Sequence, residues 1–126
     1  MVRHPAMKLN SIIFHTQRLP EVRQFYREQL GLEVGTFKKD GQTLADESES
    51  YVNFIVGDSL LCFEVGSEAP ELGSIVLNVS NFDFLKSKFK ALVVREGAFW
   101  FKIKDPEGRS LLIERNPEVP SSALKA

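Results

Sequence analysis

Twice along the 126 residues the hydrophobic pattern runs through the same order of elements: strand, helix, strand, strand, strand. Residues 9–17 (LNSIIFHTQ) are rich in β-branched and aromatic side chains, which predicts a first strand. Pro20 follows where a first helical turn tolerates a missing N–H. Val22, Phe25, Tyr26, Gln29 and Leu30 recur at helical spacing, and Gly31 stands at the C-terminal cap. Residues 32–37 predict a short strand, and the polar stretch 38–49 (KKDGQTLADESE) an exposed loop. Tyr51–Val56 and Ser59–Val65 predict a hairpin turning at Gly57 and Asp58. After a linker over 66–73, which contains Pro70, the series restarts with a strand at Ser74–Val79. A short amphipathic helix is predicted over 81–91, with Phe82, Leu85, Phe89 and Leu92 on one side. A weak strand at 92–95 and strands at 98–104 and 110–114, with a turn at 105–108 between the last two, close the set.

Setting Ser11 on Ser74 gives a period of about half the chain. The match lies in element order and pattern, with little residue identity, and implies an internal duplication. The fold class is therefore α+β: two tandem βαβββ modules, residues 7–66 and 72–116, expected to form a curved mixed sheet around a cavity within one structural domain. A loose tail is expected over 117–126, and Met7 as an alternative start would make residues 1–6 an extension.

Composition removes several function classes. The formal net charge is −1, without the basic excess that nucleic-acid binding requires. No run reaches the roughly 18 apolar residues of a membrane span, and residues 1–10 lack the apolar stretch of a secretory signal. Cys62 is the only cysteine, which excludes an internal disulfide or a multi-thiolate zinc site, so a cytoplasmic protein is expected. Cys62 has no basic neighbour in sequence and reads as an inert buried thiol.

Side chains alternate across a strand, so each strand divides into two faces. Val52, Phe54, Val56, Leu61, Phe63 and Val65 share one apolar face, with Tyr51, Asn53, Ile55, Leu60, Cys62 and Glu64 on the other. In the late hairpin Phe99, Phe101, Ile103, Leu111 and Ile113 oppose Trp100, Lys102, Lys104, Ser110, Leu112 and Glu114. His15 joins the mixed face of the first strand, and Asn78 that of the strand aligned with it. An apolar face suits the helices; a mixed one suits either solvent or a ligand. The candidate ligand-binding residues are His15, Tyr51, Asn53, Asn78, Trp100 and Lys102, with Trp100 placed to stack on a planar molecule.

From Leu9 to Glu114 the chain resembles the vicinal oxygen chelate superfamily, which includes glyoxalases, bleomycin-resistance proteins and extradiol dioxygenases. The resemblance is carried by Phe25-Tyr26 followed by Leu30-Gly31-Leu32, and by Asp105-Pro106-Glu107-Gly108 before an apolar strand. It implies a divalent metal held by His, Gln or Glu from the first and last strands of each module. At those positions stand Ser11, Ser74 and Leu112, with Cys62 or a neighbour at the fourth, so the usual metal site is expected to be absent. The resemblance then implies a metal-free protein that holds a small molecule, as in the bleomycin-resistance branch, and forms a homodimer. The alternative is a metal-dependent lyase, isomerase or dioxygenase using a displaced set: His15, Glu64 and Glu114. A third reading is a non-catalytic interaction module, whose mixed faces would be buried against another chain. Glu64 and Glu114 otherwise read as rim residues paired with Lys102 or Arg115.

Overall fold

The computed structural model describes residues 9–66 and 72–116, and the chain divides into two compact units at the Glu71–Leu72 junction. The expected tail, the N-terminal extension and most of the linker lie outside the described residues.

The first unit begins with β1 (Ser11–Thr16) and α1 (Leu19–Gln24). Pro20 sits in the first turn of α1, and the Arg18 carbonyl accepts its first hydrogen bond, from the Val22 N–H at 3.0 Å. The helix then widens into a π turn over Phe25–Gln29, where the Leu30 N–H reaches the Phe25 carbonyl at 2.9 Å. Gly31 ends it at φ 82°, a conformation in which a Cβ would be strained. Leu19, Val22, Phe25, Tyr26 and Leu30 are buried, whereas Gln29 is exposed. Sequence spacing assigns Gln29 to the buried face; the extra residue of the π turn rotates it away.

Four strands follow before the unit closes: β2 (Glu33–Val34), β3 (Thr36–Lys39), β4 (Gln42–Ala45) and β5 (Tyr51–Val56), then β6 (Ser59–Val65). The main sheet has the order β1-β6-β5-β2, with β1 parallel to β6 and the other pairs antiparallel. Gly57 takes φ 58° at the β5–β6 turn, leaving Val56 opposite Ser59 as expected. Tyr26 packs under this sheet with ring centroids 4.6 Å from Phe63 and 6.0 Å from Phe54. All three, with Val52, are fully buried, and each such burial stabilises the fold by about 1.5–3 kcal/mol. Val65, at the end of β6, is exposed instead of completing the apolar face.

The stretch 38–49, expected as a loop, is mostly a hairpin and its return. Asp40 (φ 52°) and Gly41 (φ 78°) both take positive φ between Lys39 and Gln42, the arrangement of a type I′ turn. All residues of β3 and β4 are exposed. The chain leaves the sheet at Gly35, whose N–H donates to the Asn53 carbonyl (2.8 Å), and returns at Asp46. There the Asp46 N–H donates to the Gly35 carbonyl (2.7 Å), and its carbonyl accepts from the Asn53 N–H (3.1 Å). Glu47 then pairs with Val52. The edge of β5 is thus covered by two separate pieces of chain.

The second unit repeats the arrangement without the extra hairpin. It comprises β7 (Ser74–Val79), α2 (Phe82–Lys88) with a 3₁₀ turn at Lys90–Leu92, β8 (Arg95–Glu96), β9 (Trp100–Lys104) and β10 (Ser110–Arg115). Its sheet has the order β7-β10-β9-β8, again with the first strand parallel to the last. Phe82 of α2 packs on Phe101 at 5.6 Å, among buried Leu85, Phe89, Ile103, Leu111 and Ile113. Leu92 and Phe99, expected on apolar faces, are exposed. α2 stops at Lys88 and Leu92 falls in the 3₁₀ turn that follows, whose residues are not buried, while β9 starts only at Trp100, one residue past Phe99. Phe99 is covered by the Arg115 guanidinium, 4.7 Å from its ring centroid.

At the β9–β10 turn, Asp105 Oδ1 accepts the N–H groups of Glu107 (2.8 Å) and Arg109 (3.0 Å), and Gly108 takes φ 95°. Arg109 is fully buried, with NH1 3.1 Å from Asp105 Oδ2 and 3.0 Å from Glu107 Oε1. No helix among the described residues is long and apolar enough to cross a membrane.

Candidate ligand-binding site

In the first unit, strand register sets the mixed face in rows. His15, Glu64 and Tyr51 form one row across β1, β6 and β5; Ile13, Cys62 and Asn53 form the next; Ser11, Leu60 and Ile55 the third. His15 Nε2 lies 3.2 Å from Glu64 Oε1. Glu64 therefore pairs with His15, and Arg115 pairs with Asp83 at 3.7 Å.

The centre of the polar set is a residue that the sequence reading missed. Asp46 Oδ1 accepts from the Tyr51 hydroxyl at 3.0 Å, and Asp46 Oδ2 from Asn53 Nδ2 at 2.7 Å. Tyr51 and Asn53, two residues apart on β5, present their donors on the same side, so one carboxylate receives both. All three are half-buried. The hydrogen bond to Asp46 raises the Tyr51 phenol above its ordinary value, helped by burial and by the charges of Asp46 and Glu47. Cys62 lies behind them; burial first, then the carboxylates of Asp46 and Glu64, push its thiol up. It is a protonated, buried group, in keeping with the inert reading.

In the second unit Asn78, Glu114 and Trp100 share a row, and Val76, Leu112 and Lys102 the next, with Arg95 opposite Lys102. Lys104 donates to Ser110 Oγ at 3.0 Å. Trp100 is half-buried, and its indole lies over Gly97: a Cβ there would fall 2.1 Å from Nε1. His15, Tyr51 and Asn53 are thus gathered on one sheet, and Asn78, Trp100 and Lys102 on the other.

The positions where the resemblance implies metal ligands do not supply a donor set. Ser11 and Ser74 offer neutral hydroxyls and Leu112 a hydrocarbon, and Cys62 is a lone thiol in a row with Ile13 and Asn53. The His15–Glu64 pair brings two donors together, and Glu114 belongs to the second unit. Among the described residues no three His, Cys, Asp or Glu side chains converge as a metal site.

Two βαβββ units, each closing a first strand parallel onto a last, give the chain the fold of solved glyoxalase and dioxygenase structures. A glyoxalase/dioxygenase from Nostoc punctiforme superposes with TM-score 0.70 at 19% identity, over 94% of this chain and 100% of that one. The lactoylglutathione lyase of Agrobacterium tumefaciens gives 0.65 at 20% identity, over 89% and 96%. The oxidase ChaP-H1 gives 0.67 at 21% identity, over 91% and 100%. No protein-family profile and no curated protein matches the sequence.

Proposed function

We propose that the protein binds a small planar or amphipathic molecule without a metal, acting by sequestration in the manner of the bleomycin-resistance proteins. The observation that carries this reading is the Asp46–Tyr51–Asn53 constellation: directed polar groups, half-buried, on the face whose expected metal positions hold Ser11 and Cys62. Exposed Ile13 and Ile55 beside it offer apolar contact. On the second unit's own sheet, Trp100 in a row with Asn78 offers a ring for stacking. Binding of this kind needs affinity alone, and no group poised to stabilise a transition state. A homodimer is supported by the exposed Ile12 and Ile13 on β1, an edge strand of its sheet. A cytoplasmic setting is supported by a single cysteine, held as a thiol.

The test is metal content after purification without chelator or metal resin, followed by melting scans with Mn²⁺, Fe²⁺, Ni²⁺ and Zn²⁺ and with a set of planar aromatic compounds. The reading expects no stoichiometric metal, no metal-induced rise in Tm, and a Tm rise with some aromatic compounds that is lost in Asn53→Ala. About one ion per chain, with a Tm rise abolished in His15→Ala, would overturn it in favour of a metal-dependent lyase, isomerase or dioxygenase.

A further inference from the structure

Asp46 reaches the polar site only because the chain re-enters the sheet there, and that re-entry is fastened to α1 from behind. Asp46 and Glu47 are successive residues at the re-entry, and their contacts show their side chains leaving in different directions. Asp46 turns to Tyr51 and Asn53; Glu47 turns to the helix. Arg23 Nε lies 3.4 Å from Glu47 Oε1, and Arg27 NH1 lies 3.6 Å from Glu47 Oε2. Arg23 also donates through NH2 to the Ser48 carbonyl. Its Nε is shielded from water and faces Glu47 without an aligned hydrogen bond, so the carboxylate is the counter-charge on that side of a half-buried guanidinium. Beyond the clamp, the Ser48 N–H donates to the Tyr51 carbonyl at 2.8 Å, which closes the segment onto β5.

We propose that Arg23, assisted by Arg27, is a positioning residue for the binding site: through Glu47 and the Ser48 carbonyl it sets the distance between Asp46 and the Tyr51 hydroxyl. This rests on the reading of Asp46, Tyr51 and Asn53 as the ligand site, yet it is testable without any ligand. The Tyr51 phenol reports the Asp46 contact, and the charged or titrating groups around it are Asp46, Glu47, Glu64 and, across the ladder, His15.

The experiment follows the titration of the two tyrosines by NMR with ¹³Cζ-labelled tyrosine in the full chain, with Tyr51→Phe assigning the signals. The sign discriminates. Deleting a nearby cation acts directly by raising a phenol pKa, whereas loosening Asp46 lowers it. Arg23→Gln is expected to move the Tyr51 pKa down, in the same direction as Asp46→Asn, with Arg23→Lys intermediate. A rise or no change in Arg23→Gln overturns the proposal. So does an unchanged pKa in Asp46→Asn, because there would then be no contact to position. If Arg23→Gln does not fold, Arg27→Gln is read by the same criterion, a downward shift supporting the proposal and any other result overturning it. Failure of every aromatic compound to bind, with the downward shift intact, would defeat the functional reading and leave the positioning role standing.

Discussion

Arg109 is the residue whose loss should cost the fold most for its size. It is fully buried, as are the side chains of Asp105 and Glu107 that it bridges at 3.1 and 3.0 Å. Truncation to alanine leaves two carboxylates away from water without their shared cation. Breaking a buried pair by removing one partner typically costs about 3–5 kcal/mol. A chain of this length unfolds with an entropy at which each kcal/mol shifts Tm by about 3–6 °C, so Arg109→Ala should lower Tm by roughly 10–30 °C. Much of a typical total stability of about 5–15 kcal/mol would then be gone. Arg109→Lys keeps the charge but lacks the planar fork that reaches both carboxylates, and should recover part of the loss. The assay is urea unfolding followed by circular dichroism, with Tm as a second readout. A loss below about 1 kcal/mol in Arg109→Ala, the range of exposed pairs, would refute the premise that these charges are held out of water.

Other outcomes follow from the same geometry. Cys62, with its thiol pushed up by burial and by Asp46 and Glu64, should alkylate slowly with iodoacetamide at neutral pH. Asp46→Asn should speed that labelling, as read by mass spectrometry; an unchanged rate would place the charge effect elsewhere. Gly97→Ala sets a Cβ 2.1 Å from Trp100 Nε1, so the indole must leave its place. A shifted Trp100 emission maximum and a loss of about 1–3 kcal/mol are expected, and an unshifted spectrum would contradict the packing. Tyr51 has a folded-state pKa above its unfolded value, so the folded state holds its proton more tightly. The stability this supplies is fully present below the unfolded value of 10.0 and is lost as pH rises through the folded one. The Tm difference between wild type and Tyr51→Phe should therefore be constant near neutrality and narrow in alkali; a difference that widens there would contradict the sign.

Much of the scaffold was legible in the sequence. The β5–β6 hairpin and β7 fall on the residues expected, because strict alternation and a glycine turn fix strand ends and parity together. Parity also put His15, Glu64, Tyr51 and Asn53 on one face before any coordinates. What stayed hidden has a physical reason in each case. No residue of the β3–β4 arm belongs to the buried core, so the arm carries no apolar rhythm, and the composition of 38–49 reads as loop. The Asp40-Gly41 pair was the signal that it turns back. Missing that hairpin meant missing Asp46, whose place beside Tyr51 depends on the return of the chain. Arg109 does not stand out in the sequence, since nothing local announces that both its carboxylate partners are buried with it.

The edge of β5 is assembled from chain on either side of the β3–β4 arm, and the two ends of that arm are hydrogen-bonded to each other at Gly35 and Asp46. Arm length is thereby uncoupled from sheet register. Residues can be added or removed beyond Gly35 while Tyr51, Asn53 and Asp46 keep their mutual spacing, because lengthening a closed loop costs only about 0.6 kcal/mol per doubling. In the second unit the matching step from β8 to β9 needs only residues 97–99. One unit thus has the short form while the other carries a tolerant port, where surface can be added without disturbing the Asp46–Tyr51–Asn53 set next to it.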